Sequence, residues 1–145
     1  MGQQYKQASD IYSLGVIATE ISTGRRAFDG IPFDDYFALS VVGGSRPKCL
    51  GPDCYIKLAM KCMDEDVNKR PTATGIIEII THWLDEMDQE NDSEIKKQFL
   101  EADKIKSETI KQIHPQEMYT SKIYDTKKIS YNLSKSISEI EIPNE

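Results

Sequence analysis

The thiols and imidazoles come first, because they would carry metal or nucleophilic chemistry if this chain had any. Cys49, Cys54 and Cys62 are odd in number and lie five and eight residues apart, which fits neither a disulfide framework nor a Cys-x-x-Cys metal pair. His82 and His114 stand far from each other and from the thiols, so a zinc site would need scattered ligands. Reduced cysteines, as in a cytosolic or nuclear protein, are the expectation. Two short strings imitate phosphate or metal chemistry, Phe28-Asp29-Gly30 and Gly43-Gly44, but each follows a helical segment and reads as a turn. Asp10 and Arg70 stand out by setting. Asp10 opens a helical segment, where a carboxylate complements the helix dipole, and Arg70 directly precedes Pro71.

The elements that position these residues are read from composition and periodicity. The 145 residues are 39% hydrophobic and 29% charged, the make-up of an ordinary globular domain. A net charge of −6 and a pI near 5.0 exclude a clustered basic footprint for nucleic acid or anionic membrane. No stretch has the run of apolar residues needed to span a bilayer. The partners expected are therefore proteins. All 8 glycines, all 3 cysteines and the single Trp83 fall before residue 88, and that shift sets the expected organisation. Residues 1–87 form the main unit, residues 88–113 a helical extension, and residues 114–145 a mostly irregular or disordered tail.

Within the first stretch the pattern predicts four helices and no strand of useful length. The first follows Ser9 as N-cap and runs from Asp10 to Ile21, stopped at Gly24. Its apolar residues Ile11, Leu14, Val16, Ile17 and Ile21 do not keep to one stripe, which predicts a central helix buried on most sides. Asp34-Asp35 open a second helix that ends at Gly43-Gly44. A third spans Asp53 to Met63, and a fourth begins near Pro71 and carries Ile76, Ile77, Ile79, Ile80, Trp83 and Leu84. Residues 94–113 can form a further helix with Ile95, Phe99, Ala102 and Ile105 on a loose stripe.

Two runs resemble a known family. Ser9-Asp10-Ile11-Tyr12-Ser13-Leu14-Gly15-Val16, then Glu20 and Thr23-Gly24, resembles the large F helix of protein kinases. Arg46-Pro47, Leu58, Cys62 and Asp64-Glu65-Asp66-Val67-Asn68-Lys69-Arg70-Pro71-Thr72 resemble the run through kinase helices H and I, in order and at the family's separation. Glu20, Gly44-Ser45-Arg46-Pro47 and the ending from Cys62 to Thr72 look most like the tyrosine-kinase-like and tyrosine kinase branches. Ala27, Met63 and Val67 depart from the usual Pro, Trp and Pro, and none of these removes chemistry. The resemblance implies a mainly α fold, the helical C-terminal half of a kinase-like C-lobe followed by a helical or irregular tail. It implies that Asp10 is a buried carboxylate accepting amide N–H groups of the catalytic loop, and that Arg70 pairs bidentately with the Glu of an Ala-Pro-Glu motif. Gly15 is a third structural motif residue. Phe33, Asp34, Asp35 and Tyr36 resemble the G helix used to dock substrates or regulators.

Kinase chemistry needs a Gly-rich loop, a strand Lys, a His-Arg-Asp loop and an Asp-Phe-Gly, and this sequence contains none of them. No catalytic, cofactor-binding or metal residue is therefore expected in it, with ATP and Mg belonging only to a full-length parent. The expected function is that of a partial protein kinase domain, itself inactive, whose parent transfers the ATP γ-phosphate to Ser, Thr or Tyr of proteins. A stand-alone helical interaction module is the alternative. Expected partners are protein substrates or regulators and the upstream kinase segment, in the cytoplasm or nucleus. Asp10 and Arg70 are half-pairs here, and a buried unpaired charge is costly, so the chain alone is expected to be marginally stable.

Overall fold

The computed structural model describes residues 7–89, 92–104 and 125–138. Among them the regular structure is helical throughout, as the patterning predicts. Helix α1 (Gln7–Thr23) is followed by α2 (Asp35–Val42), α3 (Asp53–Cys62), a 3-10 turn (Val67–Lys69), α4 (Ala73–Asp88), α5 (Glu94–Lys104) and α6 (Thr126–Ser138).

Local chemistry explains most boundaries. α1 ends where Gly24 adopts φ 64° and donates its N–H to Glu20 O at 2.9 Å, the left-handed stop that glycine supplies without strain. Its start differs from the expectation, because Ser9 lies inside the helix and its carbonyl accepts from Ser13 Oγ. Asp34 caps α2 by accepting the Phe37 N–H at 2.9 Å, and Thr72 caps α4 through the Gly75 N–H at 3.1 Å, one residue beyond the Pro71 start read from sequence. The Ser93 hydroxyl accepts the Lys96 N–H at the head of α5.

The tail departs further from the expectation. Where irregular chain is predicted for residues 114–145, residues 126–138 form α6. Asp125 Oδ1 accepts the N–H groups of both Lys127 and Lys128, which nucleates the first turn. In sequence Ile129, Leu133 and Ile137 then recur every four residues, a helical stripe that is diluted by serines and lysines. Residues 105–124 and 139–145 lie outside the described residues.

The chain divides into two compact units, Met1–Asp29 with Arg46–Gln112, and Gly30–Ser45 with Ile113–Glu145. In the first, α1 packs on α3 and α4 packs on α5. Ile11, Cys62 and Ile76 form its core with Leu58 against them, and Met63 and Trp83 are buried nearby. The Trp83 and Phe99 rings lie 5.9 Å apart, so the composition change at residue 88 falls inside this unit. In the second unit α2 packs on α6, and Phe33 meets Phe37 edge-on at 4.8 Å.

Candidate functional site: an arginine-flanked tyrosine beside an open apolar cleft

The site is built on the contact between α1 and α3. Gly15 is buried, and a Cβ placed on it would meet Met63 Cγ at 2.7 Å, Ala59 O at 2.9 Å and Cys62 Cβ at 2.9 Å. Only a residue without a side chain lets the two helices approach this closely. Thr19, one turn on, is 1% exposed and satisfies its hydroxyl locally on Val16 O at 2.7 Å. Tyr55 on α3 donates to Ala18 O at 2.8 Å, closing the far end of the contact. Burial pushes the Tyr55 phenol and the Cys62 thiol above their ordinary values, with Cys49 adding to the effect on Tyr55, so both stay protonated at neutral pH.

Above the start of α1, two guanidinium groups flank one aromatic ring. Arg70 lies 5.0 Å from the Tyr12 ring centroid and Arg46 lies 5.7 Å from it. Arg70 donates from Nε to Asp64 O at 2.7 Å and from Nη1 to Ala8 O at 2.8 Å. Arg46 donates from Nε to Met63 O at 2.7 Å. Both cations are thus seated on an aromatic face and on carbonyl oxygens, and the Nη2 of Arg70 has no partner among the described residues. Glu20, near the other end of α1, accepts the Ala27 N–H at 2.8 Å and holds the turn that follows.

Asp10 differs from the expectation of a buried carboxylate. It is exposed in the first turns of α1, because no described element covers that side of the helix. The penalty expected from burying it unpaired is therefore not incurred in this chain.

The predicted all-round burial of α1 is also not found. Leu14 is 43% exposed, Ile17 50% and Ile21 74%. With Leu58, Ile80 and Trp83 they line an open apolar cleft of about 170 Å³. The outer face of α4 adds exposed Ile77 and Leu84. Of the four residues read as a docking patch, Tyr36 is 82% exposed, Asp34 is spent as the α2 cap, Asp35 pairs with Lys128 and Phe33 packs on Phe37. Among the described residues no three His, Cys, Asp or Glu side chains are placed to hold a metal ion, and no helix is long and apolar enough to cross a membrane.

A model of the protein tyrosine and serine/threonine kinase family matches residues 1–80, which takes in Asp10, Gly15, Arg46, Arg70 and the α2 patch. The chain belongs to this kinase family. Among curated proteins, it is 34% identical over 85 residues to cyclic GMP-binding protein C of Dictyostelium discoideum, covering 54% of this chain and 3% of that protein. It is 36% identical over 80 residues to the probable serine/threonine-protein kinase drkB of the same organism, covering 54% of this chain and 12% of the relative. It is 31% identical over 86 residues to human mitogen-activated protein kinase kinase kinase 7, covering 57% of this chain and 14% of the relative. The chain thus spans a small part of the length of each relative.

Arg70 is seated on the Tyr12 ring and Gly15 lies against α3. The motif reading misses Arg46 as the second cation on Tyr12. Its signal in the sequence is the Arg-Pro step, whose relation to Tyr12 becomes visible only once α1 and the segment before α3 are folded together.

Proposed function

We propose that this chain is the bracing and docking part of a protein kinase C-lobe, belonging to a parent that transfers the ATP γ-phosphate to Ser, Thr or Tyr of proteins, and that the chain alone is catalytically inactive. The observation that carries the reading is the seating of Arg70. Its Nε and Nη1 are committed to Asp64 O and Ala8 O while Nη2 has no partner among the described residues, so the planar fork is held ready for one further acceptor. The carboxylate of an Ala-Pro-Glu segment is the acceptor this family arrangement calls for. Asp10, exposed on the same end of α1, would in turn receive amide N–H groups of the catalytic loop. The apolar cleft lined by Leu14, Ile17 and Ile21 has the chemistry of a surface covered by upstream kinase segments. ATP and Mg belong to the parent, because the groups that would hold them are absent from this sequence.

The partners are protein substrates or regulators, meeting the chain at the α2 patch of Phe33, Asp34, Asp35 and Tyr36. A cytoplasmic or nuclear setting accords with three free thiols and an acidic balance. The test is a thermal-shift titration of the chain with Mg-ATP, together with a phosphotransfer assay on a general protein acceptor such as casein. No shift and no transfer are expected, and a saturable shift would overturn the reading.

A further inference from the structure

The α2 patch is not an empty surface. α6 packs against α2 within one compact unit, and Lys128 Nζ lies 2.9 Å from Asp35 Oδ2. Ile129, the next residue, is buried at 9% exposure. Tyr131, two residues on, is 67% exposed. Charge is complementary across the pair. The head of α2 carries Asp34 and Asp35, and α6 carries Lys127, Lys128 and Lys135 with no acidic residue.

We propose that α6 is a built-in cover for the acidic side of α2, so that a partner docking there must present the same chemistry, a basic helix with one apolar anchor, and must displace α6 to bind. This rests on reading α2 as a docking surface and adds how that surface is regulated. The two contacts have unequal parts. The Lys128 and Asp35 side chains are 62% and 44% exposed, and an ion pair in contact with water contributes little, so it sets register and selects charge. Burial of Ile129 supplies the hold. The cover is one 13-residue helix, with Ile129 buried and the Lys128–Asp35 pair in solvent, so local opening can displace it, which a docking surface in use requires. Tyr36 stays open beside it, leaving an aromatic foothold from which an incoming helix can begin to exchange with α6.

The test uses the full chain in three variants, Ile129→Asp, Asp35→Lys and Asp35→Lys with Lys128→Glu. Backbone hydrogen exchange of α6 is followed in each, and a fluorescein-labelled peptide of residues 125–138 serves as the probe. The cover predicts that α6 amides exchange at least tenfold faster in Ile129→Asp. They should exchange a few-fold faster in Asp35→Lys and return toward the parent rate in the double variant, a rescue that a change in helix propensity would not produce. The peptide should bind Ile129→Asp at least tenfold more tightly than the parent chain, whose surface is occupied. Unchanged α6 exchange in Ile129→Asp, with peptide still bound, overturns the cover and leaves α2 as a docking surface. Peptide that binds neither chain at millimolar concentration overturns the docking surface and the cover together. Protection of α6 that rises with protein concentration also overturns it, because α6 would then be seated on a second copy.

Discussion

One helix, α1, has two apolar faces that behave differently. On one, Ile11, Gly15 and Thr19 are buried, and α3 lies so close that its backbone oxygen Ala59 O would touch a methyl group placed at position 15. On the other, Leu14, Ile17 and Ile21 carry more hydrocarbon and yet remain open. Hydrophobicity does not decide which face is sealed. A seal needs a partner shaped to fit, and here the fit comes from a missing side chain, whereas no described element lies over the larger side chains.

Four substitutions or conditions test that contrast. The largest effect is expected at Gly15. Alanine would gain about 1 kcal/mol in helix propensity, but its methyl meets main-chain oxygen and Cys62 Cβ, which cannot swing aside. Overpacking should outweigh propensity, so Gly15→Ala is expected to lose about 2 kcal/mol and Gly15→Leu more, read by urea unfolding through Trp83 fluorescence. A more stable Gly15→Ala would remove the close contact from the account.

Next comes Tyr12. Each guanidinium over its ring contributes about 0.5–1 kcal/mol, so Tyr12→Leu should lose about 1–2 kcal/mol in the same assay. Tyr12→Phe, which keeps the ring, should stay within about 0.5 kcal/mol. Equal losses would mean that the hydroxyl, and not the stacked arginines, matters.

The sealed face also has a pH signature. The Cys62 thiol is pushed above its ordinary 9.0 by burial, so the unfolded chain loses this proton before the folded chain does. The contribution to stability is full below pH 9.0 and is lost as pH rises through the folded value. Urea midpoints measured at pH 7 and at pH 10 should therefore fall further in the parent than in Cys62→Ala. An identical slope would show that Cys62 is hydrated in solution.

The smallest effect belongs to the open face. Ile21→Ser at a 74% exposed position should change stability by about 0.5 kcal/mol or less. A loss well above that would show that the cleft closes on itself in solution.

Much of this was legible from the chain alone, for identifiable reasons. Gly24, Asp34 and Gly43 set helix ends by local backbone chemistry, which needs no distant partner, and the end of α1 and both ends of α2 are found where those signals place them. Ser9 and Pro71, by contrast, misplace the starts of α1 and α4. Gly15 and Arg70 are picked out by the spacing they share with kinases. What was not legible is what depends on neighbours. Ile17 and Ile21 have the side chains of core residues, and only the absence of a described covering element leaves them exposed. Asp10 carries the family's residue but not its surroundings. α6 was missed because its stripe of Ile129, Leu133 and Ile137 is one residue wide and is interrupted by residues that favour disorder, so the contact with α2 and the cap from Asp125 had to supply what periodicity lacked.

The two arginines at Tyr12 also bear on how α3 stops. The helix ends at Met63 with φ −97°, without the left-handed glycine that commonly closes a helix. The carbonyls of Met63 and Asp64 are instead taken by Arg46 Nε and Arg70 Nε, each at 2.7 Å, and both cations sit at the negative end of the helix dipole. The carbonyls just past α3 are thus held by a side chain 17 residues before Met63 and another six residues after Asp64. An isolated peptide of the α3 sequence carries no instruction to end where the folded chain ends it.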